Sequence, residues 1–377
     1  MDMKFVLIPD SFKGTLSSAQ ICAILARKAE KVYPGCETVS IPVADGGEGS
    51  VDCFLAALGG EKVHARVKGP YFEEMDGFYG LLSDGKTAVI EMAACAGLPL
   101  VEGCRDPEKT TTFGVGELIL RAAKRGAEKI IVGLGGSCTN DGGCGAAAAA
   151  GVRFYNAAGE EFIPTGGTLR DIAHIDVSGK DPALQGVEIV TMCDIDNPMY
   201  GESGAAYIFG PQKGADGDMV RRLDDGLRHL SEIMARDCGR DLAAVPGTGA
   251  AGAMGAGMIA FFGSRLQMGI ETVLDTVGFD EIIRDADMIF TGEGKLDSQS
   301  IRGKVVIGVA KRAKRQGKPV TAIVGGAEPG TEAAFEMGVT AVFSINRLPE
   351  DFSVSRYKSE QNLAETAENI FRFMKSM

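Results

Sequence analysis

The sequence has few of the residues on which several common kinds of site depend. It contains no tryptophan and only three histidines, at His64, His174 and His229, which are too scattered to predict a histidine-built zinc site. Its nine cysteines form no CxxC pair, and an odd number of scattered thiols is typical of a reducing compartment. No GxSxG string occurs, which excludes the nucleophile elbow of α/β-hydrolases. We also do not expect a P-loop enzyme.

Basic clusters and long apolar runs are missing as well. The net charge is -12 and no basic block occurs, which argues against nucleic acid or an anionic membrane surface as a partner. The start of the chain has no apolar stretch of signal-peptide length. The most apolar later segment, Gly255–Gly263, is shorter than the ~20 residues of a membrane span. We therefore expect a soluble, cytoplasmic protein whose partners are small molecules, with a homo-oligomer left open.

Glycine, in contrast, is abundant, and strands alternate with helices at both ends of the chain. The 52 glycines are clustered, which indicates loops that approach a ligand closely. The apolar run Lys4–Ile8 predicts a buried parallel strand, and Ser17 with Gln20 forms a capping box at the start of a helix. The same alternation returns from Asp287 to Met374, so the two ends together predict one doubly wound parallel sheet.

The middle of the chain has a different pattern. Three predicted strands, Val63–Val67, Gly77–Leu82 and Thr87–Met92, follow one another without helices, which is typical of α+β structure. For 377 residues we expect two domains. The simplest arrangement is a discontinuous domain, 1–60 plus 280–377, with a second α/β domain inserted at 61–279. A sequential division near residue 150 is the alternative.

Three loops rich in glycine and acidic residues follow strands of the predicted sheet. Ligands of open α/β sheets bind beyond the carboxyl ends of the strands, and neighbouring strands bring their loops together. Turn glycines and helix-capping aspartates would explain any single loop, but three converging loops favour a ligand site. The candidate residues are Asp10, Ser11 and Lys13 after the first strand, Asp45, Gly46 and Gly47 after the second, and Gly292, Glu293, Lys295, Asp297 and Gln299 after the strand at Asp287.

The inserted domain adds two further loops with polar residues. One follows a strand at Lys129–Leu134 and precedes an alanine-rich helix, an arrangement that suits a phosphate or a carboxylate, although close helix packing would also explain its small residues. Its candidates are Gly135, Gly136, Ser137, Asn140, Asp141, Gly142 and Gly143. The other follows a strand at Val187–Met192 and offers Asp194, Asp196 and Asn197, with a plain Asp-Asn turn as the alternative, and Lys213 lies in a later turn.

One glycine string formally matches a dinucleotide-binding motif. Gly247–Gly252 fits GxGxxG, but that motif requires a strand directly before it and a second strand after its helix. The preceding segment is short and ends in Pro246, which cannot donate to a β-ladder, and no clear second strand follows. A close-packed glycine segment is the better interpretation.

Seven blocks, in order and covering Met3 to about Ile345, resemble the type I glycerate kinase family. They are Asp10–Gly14, Ala44–Gly49, Gly133–Ser137, Thr139–Gly143, Asp194 with Asp196–Pro198, Phe209–Gly214 and Thr291–Gln299. The resemblance implies ATP-dependent phosphorylation of D-glycerate, usually to 2-phosphoglycerate in bacterial members. It also implies a flavodoxin-like domain that carries a second α/β domain, with the active site in the cleft between them.

The roles of the residues are our own inference. Phosphoryl transfer needs positioning, neutralised charge and a group that orients the hydroxyl. We expect Lys13 and Lys295 to neutralise phosphate or carboxylate charge, and the glycine loop after Gly135 to present N–H groups. Asp194 and Asp196 are candidates for Mg²⁺ ligands or for the base, with Asp10, Asp45 and Asp297 as further candidates. The alternatives are a kinase of another hydroxy acid, an NAD-linked dehydrogenase and a non-catalytic sensor.

Overall fold

The computed structural model describes residues 3–44, 46–298, 300–348 and 350–377. The strands are β1 Lys4–Pro9, β2 Glu37–Ser40, β3 Gly60–Lys68, β4 Glu74–Leu82, β5 Thr87–Glu91, β6 Lys129–Gly133, β7 Arg153–Tyr155, β8 Glu161–Phe162, β9 His174–Asp176, β10 Glu188–Met192, β11 Arg265–Gln267, β12 Met288–Gly292, β13 Lys295–Leu296, β14 Val320–Val324, β15 Gly326–Ala327 and β16 Ala341–Ser344. The α-helices are α1 Ser18–Val32, α2 Ser50–Leu58, α3 Ala93–Ala96, α4 Phe113–Lys124, α5 Cys144–Ala149, α6 Ala205–Phe209, α7 Gly217–Cys238, α8 Ala250–Phe262, α9 Gly269–Val277, α10 Phe279–Ile282, α11 Val305–Lys314, α12 Ala333–Glu336, α13 Phe352–Ser355 and α14 Ser359–Lys375.

The chain divides into two compact units. Unit 1 contains Met1–Asp45, Ala56–Leu58 and Met268–Met377, and unit 2 contains Gly46–Leu55 and Gly59–Gln267. The sequence predicts one domain at 1–60 with 280–377 and a second at 61–279. These limits remain a prediction. Within the described ranges, no helix is both long enough and apolar enough to cross a membrane.

Unit 1 contains a five-stranded sheet in which all paired strands are parallel. Its order is β16-β14-β12-β1-β2. Numbered within the sheet, this is the order 2-1-3-4-5 of flavodoxin-like folds, so β1 and β12 flank the point where the strand order reverses. Ligands of such sheets bind at this switch point, beyond the carboxyl ends of the two strands. The structure confirms the predicted parallel α/β class.

The helices α1 and α14 cover one face of the unit 1 sheet. The predicted capping box starts α1: Ser17 Oγ accepts from Gln20 N, and Ser17 N donates to Gln20 Oε1. The buried face of α1 packs with Phe5 and Leu7 of β1 and with Phe371 of α14 in one hydrophobic core. Because this core holds β1 on one side and the ladder to β12 holds it on the other, the loop after β1 begins from a rigid strand end.

Unit 2 contains a six-stranded mixed sheet with the order β11-β10-β6-β5-β4-β3. The hairpin β3–β4 is antiparallel and β4 pairs antiparallel with β5, whereas β5, β6, β10 and β11 are parallel. In this register Glu91, Gly133 and Met192 lie side by side at the carboxyl ends of β5, β6 and β10. The loops that follow these three strands therefore start from one edge of the sheet.

The expectation that the protein lacks a P-loop overlooked one string. Gly80–Thr87 fits the pattern GxxxxGK[ST], but in the structure it is the turn between the antiparallel strands β4 and β5. Asp84 closes this turn by accepting from the N–H groups of Lys86 and Thr87, and the exposed Lys86 pairs with Glu128. A P-loop needs a helix after the glycines, and here a strand follows, so this string cannot cradle a phosphate.

Candidate active site

The loops after β1 and β12, two of the three loops that we expected to converge, meet at the switch point of unit 1; Gly46 and Gly47 of the third belong to unit 2. Asp10 N donates to Gly292 O over 2.7 Å, and a Cβ added to Gly294 would lie 3.4 Å from Lys13 N. Asp10 and Ser11 are half-buried, and Lys13 is exposed. These two loops place carboxylates, a hydroxyl and a lysine at one end of the sheet.

Glu293 is the most unusual residue of this group. It is 5% exposed, and among the described residues no hydrogen-bond partner reaches its Oε1 atom. Burial raises the pKa of Glu293 to about 7, and the nearby charge of Asp10 adds to the effect. A buried carboxyl that titrates near neutral pH can exchange a proton with a bound hydroxyl, which is the property of a general base.

The remaining residues of the third loop have partners within unit 1. Asp297 is half-buried, and its Oδ1 accepts from Ser300 N. Lys295 is exposed and forms an ion pair with Glu328, so its charge is already neutralised. Two further candidates, Asp45 and Gln299, lie outside the described residues.

In unit 2, Asp141 organises the loop between β6 and α5. Its side chain is fully buried and accepts from Thr112 N, Thr112 Oγ, Gly143 N and Gly145 N over 2.8–3.2 Å. Burial raises the pKa of this carboxyl, and the four hydrogen bonds oppose the rise. The carboxylate therefore fixes the loop and the first turn of α5 rather than facing a ligand.

A buried lysine contacts the same loop. Lys213 is 2% exposed, and its Nζ donates to Ser137 Oγ over 2.8 Å and to Thr139 O over 2.6 Å. Burial lowers the pKa of Lys213 to about 8, while Cys138 and Asp141 act in the opposite direction. In the described part of the chain Lys213 forms no ion pair, so its charge lacks a counter-ion within 4.0 Å.

Next to this lysine, two buried side chains lack hydrogen-bond partners. Thr139 and Asn140 are 0% exposed, and within the described ranges nothing bonds to Thr139 Oγ1, Asn140 Nδ2 or Asn140 Oδ1. Buried polar atoms in native proteins are almost always hydrogen-bonded, so each exception points to a missing partner. Here the exceptions lie beside the buried ammonium group of Lys213, which forms no ion pair among the described residues.

A strained turn in α8 presses against this segment. Ala251, Gly252 and Ala253 all have left-handed backbone angles, with φ of 56°, 67° and 65°. Such angles cost an alanine roughly 1–2 kcal/mol. Gly252 O accepts from Gly142 N, and a Cβ on Gly252 would lie 2.0 Å from Thr139 O. The turn therefore fits the backbone of the loop, and this explains why Gly247–Gly252 contains so much glycine.

The loop after β10 supplies two more carboxylates. Asp194 is half-buried and Asp196 is exposed, and both follow β10 directly. The backbone is held by Cys193 N, which donates to Gln267 O, and by Asn197 O, which accepts from Gly249 N. The side-chain amide of Asn197 donates to Ser203 O, so its N–H group stabilises the loop itself.

The comparison with known proteins decides the family. A family model described as the glycerate kinase family matches residues 5–375. The chain belongs to this family. It is therefore a kinase, an enzyme that transfers a phosphoryl group to an alcohol, which removes the dehydrogenase and sensor alternatives.

Relatives within the glycerate kinase family are similar over nearly their full length. A glycerate kinase from Bacillus cereus (strain ATCC 10987 / NRS 248) is 46% identical over 369 residues, which is 98% of this chain and 97% of the relative. A glycerate 2-kinase from Escherichia coli (strain K12) is 46% identical over 344 residues, 91% of this chain and 90% of the relative. A crystal structure from Salmonella typhimurium LT2, provisionally named glycerate kinase 2, has a TM-score of 0.89 at 41% identity and covers 100% of this chain and 99% of its own.

Several glycines that suggested ligand contact pack against other parts of unit 2 instead. Gly135 N donates to Gly46 O over 3.0 Å, and a Cβ on Gly135 would lie 2.5 Å from Gly47 Cα. Gly142 and Gly143 donate their N–H groups to Gly252 O and Asp141 Oδ1. These three N–H groups are therefore committed within the protein, whereas Gly136 lies at the exposed tip of the loop.

The sequence analysis missed an acidic residue that holds the second glycine loop. Glu91, at the end of β5, is 3% exposed, and Val51 N at the start of α2 donates to its Oε2 over 3.4 Å. Burial raises the pKa of Glu91, and the N–H groups of Gly49, Ser50 and Val51 oppose the rise. Glu91 thus occupies the anion site that the helix N-terminus would offer a phosphate.

Carboxylate oxygens are the donors that these loops could offer a metal ion. Among the described residues no group of three or more His, Cys, Asp or Glu side chains is placed to hold a metal ion. Mg²⁺ commonly takes only one or two protein carboxylates and completes its shell with waters and phosphate oxygens. Asp194 and Asp196, two residues apart on the loop after β10, are carboxylates of the kind that this smaller requirement asks for.

Proposed function

We propose that this chain transfers the terminal phosphoryl group of ATP to the C2 hydroxyl of D-glycerate, with Mg²⁺, to give 2-phosphoglycerate. The observation that carries the proposal is the E. coli relative, since its name specifies a 2-kinase and its similarity extends over 91% of this chain. ATP is the ordinary phosphoryl donor of such kinases. A kinase of another small hydroxy acid is the alternative.

Charge neutralisation is the first task of such an enzyme, because ATP and glycerate are both anions and the chain itself carries a net charge of -12. We assign part of this task to Lys213, whose buried ammonium lacks a counter-ion among the described residues. Lys13, exposed at the switch point of unit 1, is the second candidate. Lys295 is less suitable, because Glu328 already pairs with it.

Mg²⁺ would be held by Asp194 and Asp196, and it would neutralise phosphate charge when bound. The two aspartates lie on the loop after β10, whose backbone is held by the hydrogen bonds of Cys193 N and Asn197 O, so a cation bound there would be positioned relative to the end of β10. Asp10 and Asp297 in unit 1 stay candidates for further polar contacts with the substrates.

Glu293 is the residue that we propose as the base. It lies at the switch point of unit 1, its Oε1 has no partner among the described residues, and its pKa of about 7 suits proton exchange at neutral pH. Asp194 is the competing candidate for this role. The pH dependence of kcat tests the assignment to Glu293: an ionisation near pH 7 that Glu293→Gln removes supports it, and a profile that Glu293→Gln leaves unchanged contradicts it.

The decisive experiment incubates the purified enzyme with ATP, Mg²⁺ and D-glycerate and identifies the product by ³¹P and ¹³C NMR. We expect 2-phosphoglycerate and ADP. Formation of 3-phosphoglycerate, or turnover of another hydroxy acid at a higher kcat/KM, would contradict the proposal. Asp194→Asn should lower kcat by at least about 100-fold, as removal of a group that acts in the transition state does. The matched control is Asp241→Asn, which changes an exposed aspartate and should leave kcat unchanged.

A further inference from the structure

The unpartnered atoms of Thr139 and Asn140 define what a ligand at this place must offer. The Asn140 amide presents a donor, Nδ2–H, and an acceptor, Oδ1, and the Thr139 hydroxyl can act as either. None of these atoms has a hydrogen-bond partner among the described residues, and both side chains are 0% exposed. A partner for Oδ1 must carry a hydrogen, and a partner for Nδ2 must carry a lone pair.

The neighbouring lysine adds a requirement for charge. An ammonium group has three N–H donors, and Lys213 uses two of them, on Ser137 Oγ and Thr139 O. The third donor and the positive charge have no acidic partner in the described part of the chain within 4.0 Å. Buried charges in proteins are usually paired, so the ligand should be an anion.

These two requirements together separate the two substrates of a glycerate kinase. The ionised phosphate groups of ATP offer oxygen acceptors only, and its donors, the ribose hydroxyls and the adenine amino group, lie outside the charged phosphate chain. The site asks for an anion at Lys213 and a donor at Asn140, next to the Thr139 carbonyl that Lys213 binds, so a small ligand that carries both groups on one short skeleton fits it best. Glycerate offers a carboxylate and two hydroxyl groups. Because the C2 hydroxyl gives up its proton during transfer, the C3 hydroxyl is the remaining donor that can satisfy Oδ1 throughout the reaction.

We propose that Asn140, with Thr139 and Lys213, recognises the hydroxy-acid substrate: Lys213 binds the carboxylate and Asn140 Oδ1 accepts from the C3 hydroxyl. The left-handed turn at Ala251–Ala253 acts as a support, since Gly252 packs directly against the backbone of this segment. This inference rests on the proposed function, because it takes the C2 hydroxyl as the reacting group. Asn140 is then a specificity-determining residue that selects 2,3-dihydroxy acids over acids that lack the second hydroxyl.

The first test compares two acids with the wild-type enzyme. D-Lactate differs from D-glycerate only in lacking the C3 hydroxyl, so its C2 hydroxyl is still available for phosphorylation. A site that hydrogen-bonds a substrate hydroxyl strongly rejects the analogue without it, by roughly 10⁴-fold in the best cases. We expect kcat/KM for D-lactate to be at least about 100-fold lower than for D-glycerate. A smaller difference overturns the inference.

The second test removes the amide with Asn140→Ala. We expect kcat/KM for D-glycerate to fall by at least about 30-fold while the value for D-lactate changes less than about threefold, since lactate does not use Oδ1. Equal losses for both acids would mean that Asn140 positions the loop or binds a water, and would overturn the inference. The control is Asn369→Ala on the exposed side of α14, which should change neither value. The wild-type comparison shows whether the C3 hydroxyl is recognised, and the variant assigns that recognition to Asn140. If Asn140→Ala does not fold, Asn140→Asp is used instead: it keeps an acceptor oxygen and should keep the discrimination against D-lactate, and its loss would overturn the inference.

The failure of this inference is distinguishable from failure of the proposed function. Product analysis by NMR reports the phosphorylated carbon independently of any variant. If the product is 2-phosphoglycerate but Asn140→Ala keeps full discrimination against lactate, only the role of Asn140 is wrong. If the product is 3-phosphoglycerate, the proposed function is wrong, and the inference falls with it because the C3 hydroxyl is then the reacting group.

Discussion

Replacing Lys213 by methionine tests whether a buried charge that destabilises the folded protein is needed for catalysis. The ammonium group of Lys213 is 2% exposed and forms no ion pair within the described residues, and the charge of Asp141 acts on it only from a distance beyond 4.0 Å. Methionine has nearly the same length and keeps the packing without the charge. If Lys213 is retained to bind an anionic substrate, its removal should damage catalysis far more than folding.

The magnitude follows from the pKa of Lys213, which burial lowers from 10.5 to about 8. At 1.36 kcal/mol per pKa unit, this gap means that the buried charge costs roughly 3 kcal/mol below pH 8. Methionine removes this cost but leaves Ser137 Oγ and Thr139 O without their Nζ donor, which costs about 1–3 kcal/mol. We therefore expect Lys213→Met to change the free energy of unfolding by less than about 2 kcal/mol at pH 7, while kcat/KM falls at least about 1000-fold.

The pH dependence gives a sharper test. Between pH 8 and 10.5 the folded protein has lost the Lys213 proton, while the unfolded chain retains it, so the unfolded state binds more protons and stability rises with pH. The wild type should gain roughly 3 kcal/mol from this group over that range, and Lys213→Met should not. Urea unfolding of both proteins from pH 7 to 10.5 measures the difference. Parallel curves, or a loss above about 4 kcal/mol at pH 7, would refute the reasoning. The exposed Lys311→Met is the matched control.

Three further changes test other parts of the structure. The stability of the wild type should fall as the pH rises from 4.5 to about 7, because over that range folded Glu293 holds a proton that the unfolded chain has lost; Glu293→Gln should abolish this fall. Urea unfolding midpoints at pH 5 to 8 measure the difference. A pH dependence of the midpoint that is the same in both proteins would contradict the prediction. Asp141→Asn should lower the free energy of unfolding by about 2–4 kcal/mol, since the new NH₂ group would point at backbone N–H groups that now donate to the carboxylate. A loss under about 1 kcal/mol in urea unfolding would show that these hydrogen bonds matter little. Gly135→Ala should lower the free energy of unfolding by at least about 2 kcal/mol, because the added Cβ would lie 2.5 Å from the backbone of Gly47. The control Gly217→Ala, with open space around it, should be neutral or stabilising. Equal thermal unfolding midpoints for the two variants would contradict the packing argument.

Much of the fold is predictable because its signals are local. The apolar run of β1 and the capping box at Ser17 depend on residues adjacent in the chain, and both predictions are confirmed. The short strand β11 escaped prediction, since Arg265–Gln267 has too few apolar residues to produce a period. Its existence depends on pairing with β10, which a local pattern does not reveal.

The candidate site is less predictable because its properties arise from contacts between distant residues. The sequence places Lys213 in a turn, but only the fold shows that it is buried and contacts Thr139. Likewise, Glu91 is 40 residues from the N–H group that it binds, so nothing nearby in the sequence signals its role. What the sequence does supply is the set of strand ends from which these side chains begin.

The glycine-rich strings of this chain show why such motifs need a structural context. Gly80–Thr87 forms a hairpin turn, Gly247–Gly252 leads into a left-handed turn, and Gly133–Gly135 lies against Gly46 and Gly47. In each case glycine is needed because another part of the backbone is close or because φ is positive, and neither reason involves a phosphate. The groups left without partners among the described residues are side chains: the amide of Asn140, the hydroxyls of Thr139 and Thr366 and one oxygen of Glu293, and all but Thr366 lie in the loops discussed above. Since a buried polar group without a partner destabilises the folded state, its retention in a kinase is better evidence for a ligand than any glycine pattern in the same loops.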